Sequence, residues 1–359
     1  MRIFPSILER YVGRFVLQWI IYVSLFLCLL SWLIKFMEQL RNVGVGTFTV
    51  MTAVKTVSLL IPHNFYVFFP LAALMGTVVA LCLLSSRSEL VVMQASGVSK
   101  LRILGGVLKM VLPLMCLVIL VGEYIVPATE FKYDEIRAKT MKGIDLSVGV
   151  AGGVWARENN DFFYLGAASS EGEIRGVEKF TFNPVAHKMI SHSVAQRAKF
   201  VGGKWHFYDI NHKFYSRDSL VFSHANEEVW GLTLTPDKFN IFSFSPDELS
   251  IQGLYSYVDY LKKNNIKAER YELELWRKVL SPFAVITMIF LASSVVFGSM
   301  RSLSLSARIV LGIVYGFVFY VANQTFSPLS LVFGLPIGIC VALPSVICFI
   351  VAVYLLRKR

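Results

Sequence analysis

Long uncharged runs separated by short polar connections fill both ends of the chain, and a shorter rhythm fills its middle. Charge-free stretches lie between Arg14 and Lys35, between Lys55 and Arg87 (with His63 neutral), and across 279–300. A run at 103–126 carries only Lys109 near one end and Glu123 near the other, where long side chains can reach the headgroups. A helix needs about 20 apolar residues to cross the hydrocarbon core, and charge there is costly. The last run, from Arg308 to Arg357, is too long for one crossing, and Asn323-Gln324, Pro328, Gly334 and Pro336 break it in two. The pattern predicts six membrane helices.

From Gly152 to about Trp230 the period changes. Runs such as FFYLGA, KFTFN, KWHFYDI and KFYSRDSLVFS alternate polar and apolar residues, with turn residues at Asn159-Asn160-Asp161, Asn183-Pro184 and Gly202-Gly203. They predict an antiparallel β domain, a sandwich or partly closed barrel. SPDELSIQGLYSYVDYLKK and NNIKAERYELELWRKVL then read as helices leading back to the membrane. The expected organisation is three spans in 1–127, with a short connecting helix at 86–96, an exported segment over 128–273, and three spans in 274–359.

Composition agrees: 55% apolar and 16% charged residues are too apolar a mix for a soluble globule. Lys and Arg set the orientation. Arg2, Arg10, Arg14, Arg87, Lys100, Arg102, Arg301, Arg308, Arg357, Lys358 and Arg359 gather on one side, which predicts cytoplasmic termini and a periplasmic middle segment. The formal net charge of +11 is mostly this signal, so nucleic acid is not an expected partner. The first span reads as an uncleaved anchor, having no small-x-small site after it. All five cysteines fall in apolar spans, so the exported segment folds without disulfides.

No phosphate loop, H-E-x-x-H, G-x-S-x-G or metal-spaced Cys/His cluster is present in the sequence. Every Asp and Glu is expected at or beyond a span end, which disfavours an ion-coupled transporter. The chain therefore reads as non-catalytic, with no cofactor of its own. The connector Ser86-Arg87-Ser88-Glu89 has capping-box spacing, Leu90, Val91 and Met93 begin an apolar side, and Gly97 follows the helix end. Either it is an interfacial helix whose Glu89 serves only the cap, or it is a coupling helix docking a cytoplasmic ATPase through Glu89.

RSELVVMQASG, LERYVGRF, FFPLAALMG, PDELSIQGL and FVFYVANQTFSPLSLVFGLP together resemble the lipopolysaccharide-export permease family, from one end of the chain to the other. The resemblance implies a Gram-negative inner-membrane subunit of an ABC-type exporter, with six helices and a periplasmic β-jellyroll, serving outer-membrane biogenesis. The implied partners are a cytoplasmic ATPase dimer (LptB-like) that binds the ATP and Mg, a homologous second permease (LptF-like), a bitopic protein (LptC-like), and lipopolysaccharide as substrate. It assigns ATPase coupling to the helix of Ser86, Arg87, Glu89, Met93 and Gly97.

A phosphorylated glycolipid needs cations at the outer ends of the spans. Lys35, Arg41, His63, Lys132 and Arg137 lie there, although Lys35 and Arg137 are also spaced to pair with Glu38 and Asp134. In the family, basic residues after span one and after span three contact the substrate phosphates, and Lys35, Arg41 and Arg137 match those positions. The chain departs from its relatives where Asn42 follows Arg41 and where His63 replaces a common Lys. Phe26, Phe65, Phe68, Phe69, Phe317 and Tyr320 are candidates to line an acyl-chain cavity. The family's gate between spans one and five favours Phe26, Phe317 and Tyr320, and Gly312 and Gly316 permit close approach of helices there. The rival reading is a transmission or assembly protein that couples an ATPase to the periplasmic domain with no substrate crossing the spans.

Overall fold

The computed structural model describes residues 7–142, 154–158, 161–168, 173–183, 188–215, 220–232, 246–263, 267–297 and 305–357. Among them, six helices are long and apolar enough to cross a membrane: Ile7–Leu40, Ile61–Ser86, Lys100–Arg137, Glu269–Phe297, Ser306–Phe333 and Ile337–Arg357. The chain is a multi-pass membrane protein with an antiparallel β domain inserted between the third and fourth spans. The helices are α1 (Ile7–Leu40), α2 (Val50–Leu59), α3 (Ile61–Ser86), α4 (Glu89–Ala95), α5 (Lys100–Leu120), α6 (Val126–Lys142), α7 (Ile251–Lys263), α8 (Glu269–Phe297), α9 (Leu305–Phe333) and α10 (Ile337–Arg357). A π-helical turn, Val121–Ile125, joins α5 to α6 without a break. The boundaries expected at 127/128 and 273/274 both fall inside continuous helices.

On α1 the buried positions Val12, Val16, Ile20, Ser24 and Cys28 recur every fourth residue, forming one ridge along the helix. It sits close to its neighbours because they lack side chains at the crossings. A Cβ on Gly76 of α3 would lie 2.6 Å from the Ile20 backbone, and one on Gly13 would lie 2.8 Å from the Gly106 carbonyl of α5. In lipid, where apolar side chains gain little by leaving the solvent, such close packing holds helices together. Ser24 donates to the Ile20 carbonyl at 2.8 Å, so the ridge buries no loose hydroxyl.

The last apolar run is broken later than its composition predicts. α9 continues through Asn323-Gln324 and Pro328 and stops at Phe333, where Gly334 takes φ 65°. Pro328 has no N–H for the preceding turn, but the hydroxyls of Thr325 and Ser327 bond the Val321 and Asn323 carbonyls at 2.8 and 2.7 Å.

The strands β1 (Val154–Glu158), β2 (Asp161–Ala168), β3 (Glu173–Phe182), β4 (Met189–Val201), β5 (Lys204–Tyr215) and β6 (Leu220–Trp230) form one six-stranded antiparallel sheet in chain order. Gly202 and Gly203, at φ 58° and 81°, make the two-residue turn that pairs Val201 with Lys204. Of the other expected turns, Asn159-Asn160 and Pro184 lie outside the described residues. The expected inserted β domain is thus present, and its described strands pair in chain order as a meander.

The sheet curves by a crease. Inward residues slip from a spacing of two to three at one level: Ile174 to Val177 on β3, Ala195 to Ala198 on β4, and Phe207 to Ile210 on β5. Gly176 and Asp209 stand there at φ 69° and 54°. Pairing keeps its register on both sides, Arg175 with Arg197 and Val177 with Ala195. Neighbouring strands therefore leave the pleat together, and the sheet folds around Phe163, Trp205, Phe207 and Trp230.

The crossing of α1 over α3 yields a direct test. In Gly76→Ala the new methyl meets backbone, which no rotamer change can relieve, and overpacking of this kind costs about 1–3 kcal/mol. A Cβ on Gly105 meets nothing within 4 Å. The melting temperature in detergent is expected to fall for Gly76→Ala and to hold or rise for Gly105→Ala. Equal behaviour of the two would show that the crossing is slack.

Candidate functional site

At the end of the bundle opposite the sheet, the connector forms α4, but not with the cap its spacing suggests. Ser86 closes α3, its hydroxyl donating to the Leu83 carbonyl at 2.8 Å. The chain then reverses at Ser88, whose φ of 59° is left-handed, and α4 begins at Glu89 with no side-chain cap. The capping box fails because one left-handed residue suffices to start the second helix, leaving Ser86 two residues before the cap position. Glu89 instead accepts a hydrogen bond from the Tyr11 hydroxyl of α1 at 2.8 Å. Arg87 lies 6.0 Å from the ring centre of Phe15.

Leu90 and Met93 are buried, whereas Val91 and Val92 face outward. The expected end at Gly97 is present: at φ 87° its N–H bonds the Gln94 carbonyl, and that of Val98 bonds the Met93 carbonyl. The helix is thus seated on the bundle by one face and offers an apolar strip beside a carboxylate on the other.

At the sheet-side end, Lys35, His63 and Arg137 line one cavity of about 310 Å³. Four carboxylates, Glu38, Glu130, Asp247 and Glu248, line it too. Lys35 donates to Asn64 Oδ1 at 3.1 Å and does not turn to Glu38. His63 Nδ1 lies 3.3 Å from Glu130 Oε1 without hydrogen-bond alignment. Arg41 and Lys132 are exposed and stand outside this lining.

The candidate aromatics divide. Phe26, Phe317 and Tyr320 are 63%, 64% and 51% exposed, so they cover outer faces of α1 and α9. Phe69 is a core residue, and Phe65 and Phe68 are half-buried. The most apolar windows of α1 and α9 are each only 17% buried, against 61% for α3, so these two spans carry broad unpartnered surfaces. Gly312 and Gly316 face the other way: a Cβ on either would press on Val78 or Leu71 of α3. They pin α9 within the subunit and do not serve its outer face.

The chain matches the family model for the lipopolysaccharide export system permease LptF/LptG over residues 10–358. It belongs to the LptF/LptG family. It is 37% identical over 354 residues to the lipopolysaccharide export system permease protein LptG of Haemophilus influenzae, covering 98% of each chain. To the protein of the same name from Escherichia coli K12 it is 36% identical over 357 residues, covering 99% of each. The Escherichia coli O6:H1 protein gives the same figures.

Two residues of this LptF/LptG member were not anticipated. Glu123, read from its position as a snorkelling side chain, lies in the π-helical turn and caps α7. Its carboxylate accepts from the Ile251 and Gln252 amides at 2.7 and 3.2 Å. A π turn inserts a residue and so redirects the side chains it carries, a device common at functional positions. Lys278, buried in α8, donates to the Leu249 carbonyl and lies 5.6 Å from the ring centre of Tyr66. Spans three and four thereby hold the PDELSIQGL segment from both sides. Glu123 and Glu130 lie in the later part of the 38-residue helix Lys100–Arg137 that carries the third span. The motif signalled that segment, but nothing in its spacing named the side chains that grip it.

Removing the grip isolates its effect. Glu123→Ala leaves two amides of the first turn of α7 without their acceptor, a loss of about 0.5–2 kcal/mol for a capping group. Hydrogen exchange at Ile251 and Gln252 is expected to quicken by about tenfold while the sheet amides keep their protection. Unchanged exchange at those two amides would remove Glu123 from this role.

Proposed function

We propose that this chain is the non-catalytic permease subunit of an ATP-driven exporter that extracts lipopolysaccharide from the inner membrane of a Gram-negative bacterium. The observation that carries the reading is the end-to-end match to export permeases. In this reading a cytoplasmic LptB-like ATPase dimer holds the ATP and Mg, an LptF-like permease completes the membrane unit, and an LptC-like protein joins it. The termini and α4 face the cytoplasm and the sheet faces the periplasm. Arg10, Arg14, Arg87, Lys100, Arg102, Arg308 and Arg357 at the α4 end support that orientation.

The geometry supports a division of labour. Closure of the ATPase pushes on α4, and Tyr11, Leu90 and Met93 pass the load to α1 and α3. The outer faces of α1 and α9, with Phe26, Phe317 and Tyr320, border the lipid path beside the partner permease. Lys35, Arg41 and Arg137 receive phosphates. Four acidic side chains share the cavity with Lys35 and Arg137 and offset part of its positive charge. Transmission to the sheet without transport is the second reading, and the Glu123–Lys278 grip on the segment before α7 favours it.

Photocrosslinkers at Lys35, Arg41 and Phe317 in native membranes separate the two. Transport predicts lipopolysaccharide adducts whose yield changes with ATP; adducts to protein alone would overturn it and leave transmission standing. Exposed ion pairs contribute at most about 1 kcal/mol apiece. The combined Lys35→Gln, Arg41→Gln, Arg137→Gln variant is therefore expected to lower adduct yield at Phe317 by roughly tenfold to a hundredfold.

A further inference from the structure

A second cavity, of about 390 Å³, lies between α3, α5, α8 and α9, with Tyr320 at its α9 rim and its deep wall away from the outward face of α1. Its floor is apolar, formed by Phe69, Met115, Val118, Met288 and Phe319. Its mouth is polar. There Arg277 donates through Nη1 to Glu274 at 2.6 Å and through Nη2 to Gln324 at 3.1 Å. The third donor of the guanidinium, Nε, is buried and has no acceptor among the described residues. Leaving a buried donor unmade is costly, more so on a charged group, and such a donor calls for an acceptor of high charge density.

The volume lies at the low end of ligand pockets, which span about 300–1,000 Å³, and suits one chain better than several. An apolar floor of this kind repels water. We infer that this cavity takes a single hydrocarbon chain of a phosphate-headed lipid, with the phosphate at Arg277. The site belongs to one subunit and does not depend on the transport reading. Its ligand comes either from a bilayer phospholipid or from one chain of the exported lipid, because both join a hydrocarbon chain to a phosphate-bearing head.

The test uses the full chain with its co-purifying partners in nanodiscs of phosphatidylethanolamine and phosphatidylglycerol. These are doped with a phospholipid carrying a diazirine on one acyl chain. Labelling is expected at Met115, Val118 and Met288, which are 8%, 3% and 2% exposed and out of reach from the outer surface. Ala284→Trp, which fills the cavity, is expected to lower that labelling by about tenfold while labels at Phe26 and Phe317 persist. Arg277→Gln is expected to lower labelling by the phospholipid but not by a diacylglycerol with the same chain.

Labels confined to outer-face residues in the unmodified chain would overturn the inference whether or not the variants fold. Equal labelling by phospholipid and diacylglycerol would overturn the role of Arg277. With the site present, added lipopolysaccharide that displaces the label assigns the chain to that lipid, and persistence assigns it to phospholipid. Failure here leaves the adducts at Lys35, Arg41 and Phe317 as an independent measure of transport.

Discussion

How near a helix can come to α3 decides most of what this molecule does. In lipid, apolar side chains gain little by exchanging hydrocarbon for protein, so the bundle holds where backbones approach and packing is dense. Gly76 admits the Ile20 backbone, and Gly312 and Gly316 admit α3 side chains against α9. These contacts fix which faces of α1 and α9 turn inward, and thereby leave Phe26 and Phe317 outside. The outward apolar surface follows from inward crossings that consume the small residues.

Charged side chains then tie the ends of the bundle, each in a place where a lone charge would be costly. Buried Glu9 of α1 meets Arg102 at 3.1 Å and Lys109 at 3.5 Å, both on α5. Lys100 donates to the Phe297 carbonyl at the end of α8 at 3.2 Å, meeting the negative end of that helix. α4 is thus seated among spans that are already cross-braced. At the other end, Glu123 and Lys278 bind the segment that leads from the sheet into α7. The same bundle that braces α4 therefore also holds the root of the β domain.

The β domain solves a different problem. A meander of hairpins gives a single sheet, and a flat sheet cannot enclose its own aromatic side chains. The aligned slip at Gly176 and Asp209 bends neighbouring strands together and lets Trp205, Phe207 and Trp230 pack on one side. From α7, Tyr260 packs against that cluster, so the helix capped by the third span also touches the sheet core.

The sequence by itself determined the six spans, the inserted strands, the Gly202-Gly203 hairpin and the stop of α4 at Gly97, because these depend on hydropathy period and on backbone conformations that few residues adopt. Family motifs in it pointed to α4 and to the PDELSIQGL segment. Only the tertiary structure decided which partner each polar side chain found. Ser86–Glu89 has capping-box spacing, yet a left-handed Ser88 moved the helix start and freed Glu89 for Tyr11, which is 78 positions away. Lys35 and Glu38 are spaced to pair, yet Asn64 took the ammonium. Glu123 looked like a snorkelling carboxylate, yet a π turn aimed it at α7. Local spacing fixes which neighbours are within reach, but burial makes an unpaired charge costly, and the partner that satisfies it comes from whichever segment the packing brings alongside.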